Sequence, residues 1–164
     1  MGFDAADLSE KGQHAIDILS GLLERMGLEG EIVNVIEGER IEIEIAGPDA
    51  GRVIGKKGQT LDALQFLVNK VVNRFPEGRR HVVLDVEGYK GRRDESLVAM
   101  AHRLAEKATR TGKVITISPM PSRERRVIHL ALADVSGVTT RSDGQGTDRR
   151  VRIIPDRRRS GSAR

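Results

Sequence analysis

Hydrophobic positions along the chain recur first at helical and then at extended spacing, and their order divides it into two units. Ala15, Leu19, Leu22, Leu23 and Met26 form one helical stripe, with Gly27 placed to close the helix. Residues 31–36 and 41–45 follow as strands around the turn Glu37-Gly38-Glu39, and Ile41, Ile43 and Ile45 alternate strictly with Glu42 and Glu44. A short apolar turn at Val53-Ile54 precedes a longer stripe of Leu61, Leu64, Leu67, Val68, Val71, Val72 and Phe75, which Pro76-Glu77-Gly78 ends. Val82, Leu84 and Val86 then predict a third strand, giving the order α-β-β-α-α-β as far as Glu87.

The second unit opens with a helix over residues 89–111, whose buried stripe is Leu97, Ala101, Leu104, Ala105 and Ala108 and whose stop is Gly112. Residues 114–117 predict a short strand. Pro121 and Ser122 are start signals for a helix running to Leu132. Residues 138–140 and 149–154 predict a hairpin around residues 141–148, so two helices lie on a three-stranded sheet. From Pro155 onward the chain is almost devoid of apolar residues, which predicts a disordered basic tail. The fold class is therefore α/β (α+β), with domains over 1–88 and 89–155 and a tail over 156–164.

Between the two helices of the first unit stands Gly55-Lys56-Lys57-Gly58. Two glycines let the backbone turn sharply and approach a ligand with no Cβ in the way. The lysines supply point charges suited to phosphate, and the helix that follows turns its positive end to the same place. This arrangement resembles the GXXG loop of a KH domain, which clamps a nucleic-acid backbone, and the order α-β-β-α-α-β resembles a type II KH fold. An ordinary solvated turn is the bland alternative. A nucleotide P-loop is rejected, because Gly51 to Gly55 is one residue short and Lys57 stands where a magnesium-binding hydroxyl belongs.

Charge sharpens this picture. Residues 1–50 hold 3 Lys+Arg against 12 Asp+Glu, residues 51–119 hold 14 against 7, and residues 120–164 hold 11 against 5. The net +4 thus conceals a basic surplus that begins near the loop and suits a polyanionic partner. Only three Phe and one Tyr occur, too few for an aromatic stacking platform, and Tyr89 reads as core packing. The mode of contact expected is a backbone clamp with weak sequence preference.

In the second unit Arg125 and His129 are four apart and share one helix face, a pair able to contact phosphate or stack on a base. The alternative is local packing of a half-buried histidine beside a surface arginine. Arg52, Arg126, Arg149 and Arg150 extend the candidate set of Gly55, Lys56, Lys57, Gly58, Arg125 and His129.

Cysteine is absent, so disulfides and thiolate metal sites are excluded and a cytoplasmic location is compatible. Apolar runs are too short to span a membrane, and the acidic start Met1-Gly-Phe-Asp is unlike a signal peptide. His14, His81, His102 and His129 are scattered and form no ligand or nucleophile motif; no enzyme, metal or cofactor is expected. A protein adaptor whose acidic first 50 residues dock a basic partner is the alternative function.

From about Ile32 to Pro155 the chain resembles the bacterial Jag (KhpB) family, also called SpoIIIJ-associated proteins. The resemblance rests on the run from Val53 to Gln65, Asp85-Val-Glu-Gly-Tyr89, Arg125-Arg-Val-Ile-His129 and Thr140-Arg-Ser-Asp-Gly144, in the family's order. It implies a KH domain followed by an Arg-x-x-x-His (R-three-H) domain, and binding of RNA or single-stranded nucleic acid. It also implies related KH-domain partners and, in some members, association with a membrane-protein insertase. Many members carry an extra N-terminal domain, for which this sequence shows no counterpart. The family's acidic-proline stretch is replaced here by Gln145-Gly146-Thr147.

Overall fold

The computed structural model describes residues 8–74 and 78–156. The chain divides into two compact units, Met1–Lys90 and Gly91–Arg164.

In the first, helix α1 (Glu10–Arg25) starts at Ser9, whose hydroxyl accepts from the Gly12 amide at 3.2 Å and is itself braced by Glu37. It ends in a Schellman turn, in which Leu28 N–H bonds Leu23 O and Gly27, at φ 62°, bonds Glu24 O. Ala15, Leu19 and Leu23 are buried, whereas Met26 is 44% exposed and drops out of the predicted stripe.

Strands β1 (Glu31–Glu37) and β2 (Arg40–Ala46) form the antiparallel hairpin, and β3 (His81–Val86) lies parallel to β2 in the order β1-β2-β3. The parallel pair requires a crossover, supplied by α2 (Ala50–Ile54) and α3 (Gln59–Val72). Ile41, Ile43, Ile45, Val82, Leu84 and Val86 all face the helices and are almost fully buried.

Helix α3 departs from its predicted stripe. Leu61, Leu64, Val68 and Val72 are buried, but Leu67 and Val71 are 45% and 44% exposed, because one layer of sheet covers only a narrow helix face. The helix also stops at Val72, earlier than the expected Phe75; Phe75, Pro76 and Glu77 lie outside the described residues. Three carboxamides, two on α3 and one at its C-cap, take up the free edge of β3 and the residue before it. Gln65 Oε1 accepts from Leu84 N, Asn69 brackets Val82 N and O, and Asn73 brackets Arg80 N and O. Four-residue steps along the helix thus match two-residue steps along the strand, and they satisfy an edge that another chain could otherwise pair with.

In the second unit, α4 (Tyr89–Thr111) contributes Leu97, Ala101, Ala105 and Ala108 to a separate core, with Leu104 half-buried. Strands β4 (Ile115–Thr116), β5 (Val138–Asp143) and β6 (Arg150–Pro155) form an antiparallel sheet in the order β4-β6-β5. Helix α5 (Ser122–Ala131) lies between β4 and β5 in the chain. Its start corrects one expectation: Pro121 holds the cap position, Ser122 is already helical, and no side chain caps the helix. Strand β5 runs three residues beyond the predicted Thr140, so the hairpin loop shortens to residues 144–149. Asp156, expected in the tail, donates its amide to Gly137 O and accepts from Thr139 Oγ1. The rest of the expected tail, residues 157–164, lies outside the described residues. Among the described residues no helix is long and apolar enough to cross a membrane.

Candidate nucleic-acid interface

The loop after α2 is held by backbone geometry that its sequence demands. Gly55 has φ 69°, Lys57 φ 54° and Gly58 φ 80°. A Cβ at Gly55 would stand 2.0 Å from Thr60 Oγ1, and one at Gly58 would stand 3.0 Å from the Tyr89 ring. Each glycine is thus fixed both by its left-handed conformation and by a close neighbour. Lys56 and Lys57 are exposed, and no ion pair or hydrogen bond holds either side chain among the described residues. Both project at the start of α3, where no side chain caps the helix and its positive end faces the loop.

Arg52 stands one turn earlier on α2 and is engaged, with Nη1 3.1 Å from Asp49 Oδ1. The other Asp49 oxygen accepts the Glu29 amide at 2.8 Å. That backbone hydrogen bond, followed by the one from Arg52, holds the Asp49 carboxyl below the usual carboxylate range.

Further along the same unit lies a cavity of about 540 Å³ that sequence reasoning missed. Phe66, Asn69 and Lys70 of α3 and its C-cap Asn73 line it together with Arg79, Arg80, His81 and Glu39. Phe66 is 60% exposed, and Lys70 Nζ sits 5.4 Å from its ring centroid, a cation–π contact. This is a single ring rather than a platform. The available signal was Phe66 followed four residues later by Lys70, off the apolar stripe for which the helix was read. From Gly58 to Lys70 the helix rises about 18 Å, so loop and cavity are spaced along one helix.

In the second unit His129 lies over β5, with Nδ1 2.7 Å from Thr140 Oγ1 and Nε2 2.8 Å from Ser142 Oγ. Burial, and then the charge of Arg125, pull its pKa below the ordinary 6.5. The ring is therefore neutral at pH 7, and the hydroxyls, able to donate or accept, suit either tautomer. Arg125 Nη1 donates to Met120 O at 2.7 Å, and Met120 N donates to Arg149 O at 3.3 Å. Arg125, His129 and the Arg149 backbone are thus brought together, with both signature side chains bonded internally. Arg126 is exposed on α5, while Arg150 is exposed on β6, opposite Asp143 in the strand register. The run Thr140-Arg-Ser-Asp-Gly144 now has a local reason: its two hydroxyl residues clamp the histidine. Among the described residues no cluster of His, Asp or Glu is arranged to hold a metal ion.

Comparison with known proteins agrees with this architecture. Residues 13–86 match the family described as KhpA/KhpB, KH domain, and residues 95–155 match the R-three-H domain. The chain is therefore a KH domain followed by an R-three-H domain. A Clostridium symbiosum protein named RNA-binding protein KhpB is 41% identical over 141 residues, covering 85% of this chain and 64% of its own length. A Bacillus subtilis protein of the same name is 38% identical over 115 residues, covering 69% of this chain and 55% of its own. The chain belongs to this KhpB (Jag) family, and it spans less than two thirds of the length of these relatives.

Proposed function

We propose that the chain binds RNA, or single-stranded nucleic acid more generally, by its sugar–phosphate backbone, with the KH loop as the principal contact. The observation that carries this reading is the pair of exposed lysines, without an ion-pair or hydrogen-bond partner among the described residues, held between two obligatory glycines at the start of α3. Lys56 and Lys57 neutralise phosphates, the cavity at Phe66 and Lys70 receives a base further along the strand, and Arg126 and Arg150 supply further cations from the second domain. The name its relatives carry, RNA-binding protein, supports RNA over single-stranded DNA. The role is that of a cytoplasmic regulator without catalysis. A second KH-domain protein fits as partner, since Leu67 and Val71 offer it an exposed apolar strip.

The test is binding of a fluorescent oligouridylate to the intact chain and to Lys56→Asp/Lys57→Asp across a salt series. Aspartate tolerates the left-handed backbone at position 57, so the fold should survive the reversal. Affinity should fall strongly, and the slope of log K against log salt should become shallower by about 1.4, about 0.7 for each phosphate no longer neutralised. Equal affinity and slope in both proteins would sink the reading.

A further inference from the structure

The two arginines at the centre of the second sheet stand where electrostatics alone would not put them. Arg141 of β5 and Arg152 of β6 are direct partners in the antiparallel register. Like charges directly opposite one another destabilise a strand pair. Both lie on the sheet face turned away from the core. Val138, Val151 and Ile153 are buried, and Thr140 and Ser142 hold His129, so the alternate positions Arg141, Asp143, Arg150 and Arg152 belong to the other face. Thr116 completes the central row beside Arg152.

Two carboxylates temper this face: Asp156, which accepts from Thr139 Oγ1 toward one end of the hairpin, and Asp143. Asp143 is opposite Arg150 in the register and lies 3.5 Å from Arg152, an exposed and loose pair. Arg141 has no ion-pair or hydrogen-bond partner among the described residues. Three guanidinium groups thus share this face of the sheet with two acids.

We infer that this outer face of the β4-β6-β5 sheet is a second contact surface for the phosphate backbone of the bound RNA, separate from the Arg125/His129 side of the domain. The inference rests on the RNA-binding reading above and names the surface through which the second domain contributes to it. Arg150 and Arg152 are two residues apart on one strand, so they repeat at about 6.8 Å, a spacing that successive phosphates of an extended strand can follow. Guanidinium forks pair with phosphate oxygens in a bidentate manner. No aromatic side chain lies on this face among the described residues, so the contact reads backbone rather than base. The internal bonding of Arg125 and His129 makes a second source of cations in the domain all the more pertinent.

The experiment is binding of fluorescent oligouridylate to the intact chain, to Arg141→Gln/Arg152→Gln and to Lys56→Asp/Lys57→Asp, each over the same salt series, with thermal unfolding of each. The glutamine variant removes a like-charge pair, so its melting temperature should hold or rise while its RNA affinity falls several-fold. Its salt slope should shrink by about 1.4, about 0.7 for each of two single-strand phosphates. Weaker binding together with undiminished stability is an outcome that a purely structural role for these arginines does not give. Unchanged affinity and slope in this variant, with binding intact in the wild type, overturns the inference and leaves the KH-loop reading standing. Unchanged binding only in the lysine variant overturns the KH-loop contact alone. Absence of binding by the wild type overturns both.

Discussion

A histidine with hydroxyl groups at both ring nitrogens responds to acid differently from one that faces water. Neutral His129 can donate through one nitrogen and accept through the other, whereas the imidazolium must donate at both and carries a charge beside Arg125. Its pKa in the folded state lies below the unfolded value of 6.5, so the unfolded chain binds the proton more readily. Stability from this residue is accordingly complete above about pH 6.5 and declines as pH falls from there to the folded-state pKa. His129→Gln should flatten this part of the pH dependence while lowering stability at pH 7.5, as measured by denaturant midpoints at pH 7.5 and 5.5. If both proteins lose the same stability between those values, His129 is not the group responsible. The spacing of Arg125 and His129 marked both residues in the sequence, but their partners Met120, Thr140 and Ser142 depend on how the second sheet folds back beneath α5.

At the level of elements, α4 and α5 are joined by a two-pronged ion pair. Arg93 Nε and Nη2 donate to Glu124 Oε1 and Oε2 at 2.8 and 3.1 Å, and the Glu124 side chain is only 5% exposed. Arg93→Ala would leave that carboxylate buried without its main cation, at a cost of about 3 kcal/mol or more. Urea denaturation of the second domain measures it, and a loss under about 1 kcal/mol, the range of surface pairs, would show the contact to be dispensable. Glu124 illustrates where sequence reading stops. Within Arg123-Glu-Arg-Arg it looks like part of a solvated charge run, and its burial follows from an arginine 31 residues away. The strands of the first sheet were legible because each isoleucine of β2 alternates with a glutamate. The faces of α3 were less so: Leu67 and Val71 match the helical period yet face outward, and the carboxamides of Gln65, Asn69 and Asn73 have meaning only against the edge of β3.

For the whole molecule, two separate cores predict that unfolding is not a single all-or-none event. Among the described residues sixteen buried ones, nearly all Leu, Ile and Val, form the first core, whereas eleven form the second, three of them alanines of α4. Smaller side chains remove less apolar area from water, so the second domain should be the weaker. Helix α4 begins in one unit and continues in the other: Tyr89 packs against the first core, and Leu97, eight residues later, belongs to the second. This gives a natural reporter, because Tyr89 is the only tyrosine and tryptophan is absent. In a guanidinium titration, tyrosine fluorescence therefore follows the first domain, while far-ultraviolet circular dichroism follows both. Dichroism should lose part of its amplitude before the fluorescence changes, and Arg93→Ala should advance that early loss without moving the Tyr89 transition. Coincident curves for the two probes, shifted together by the substitution, would mean that the continuous helix couples the domains into one cooperative unit despite their separate cores.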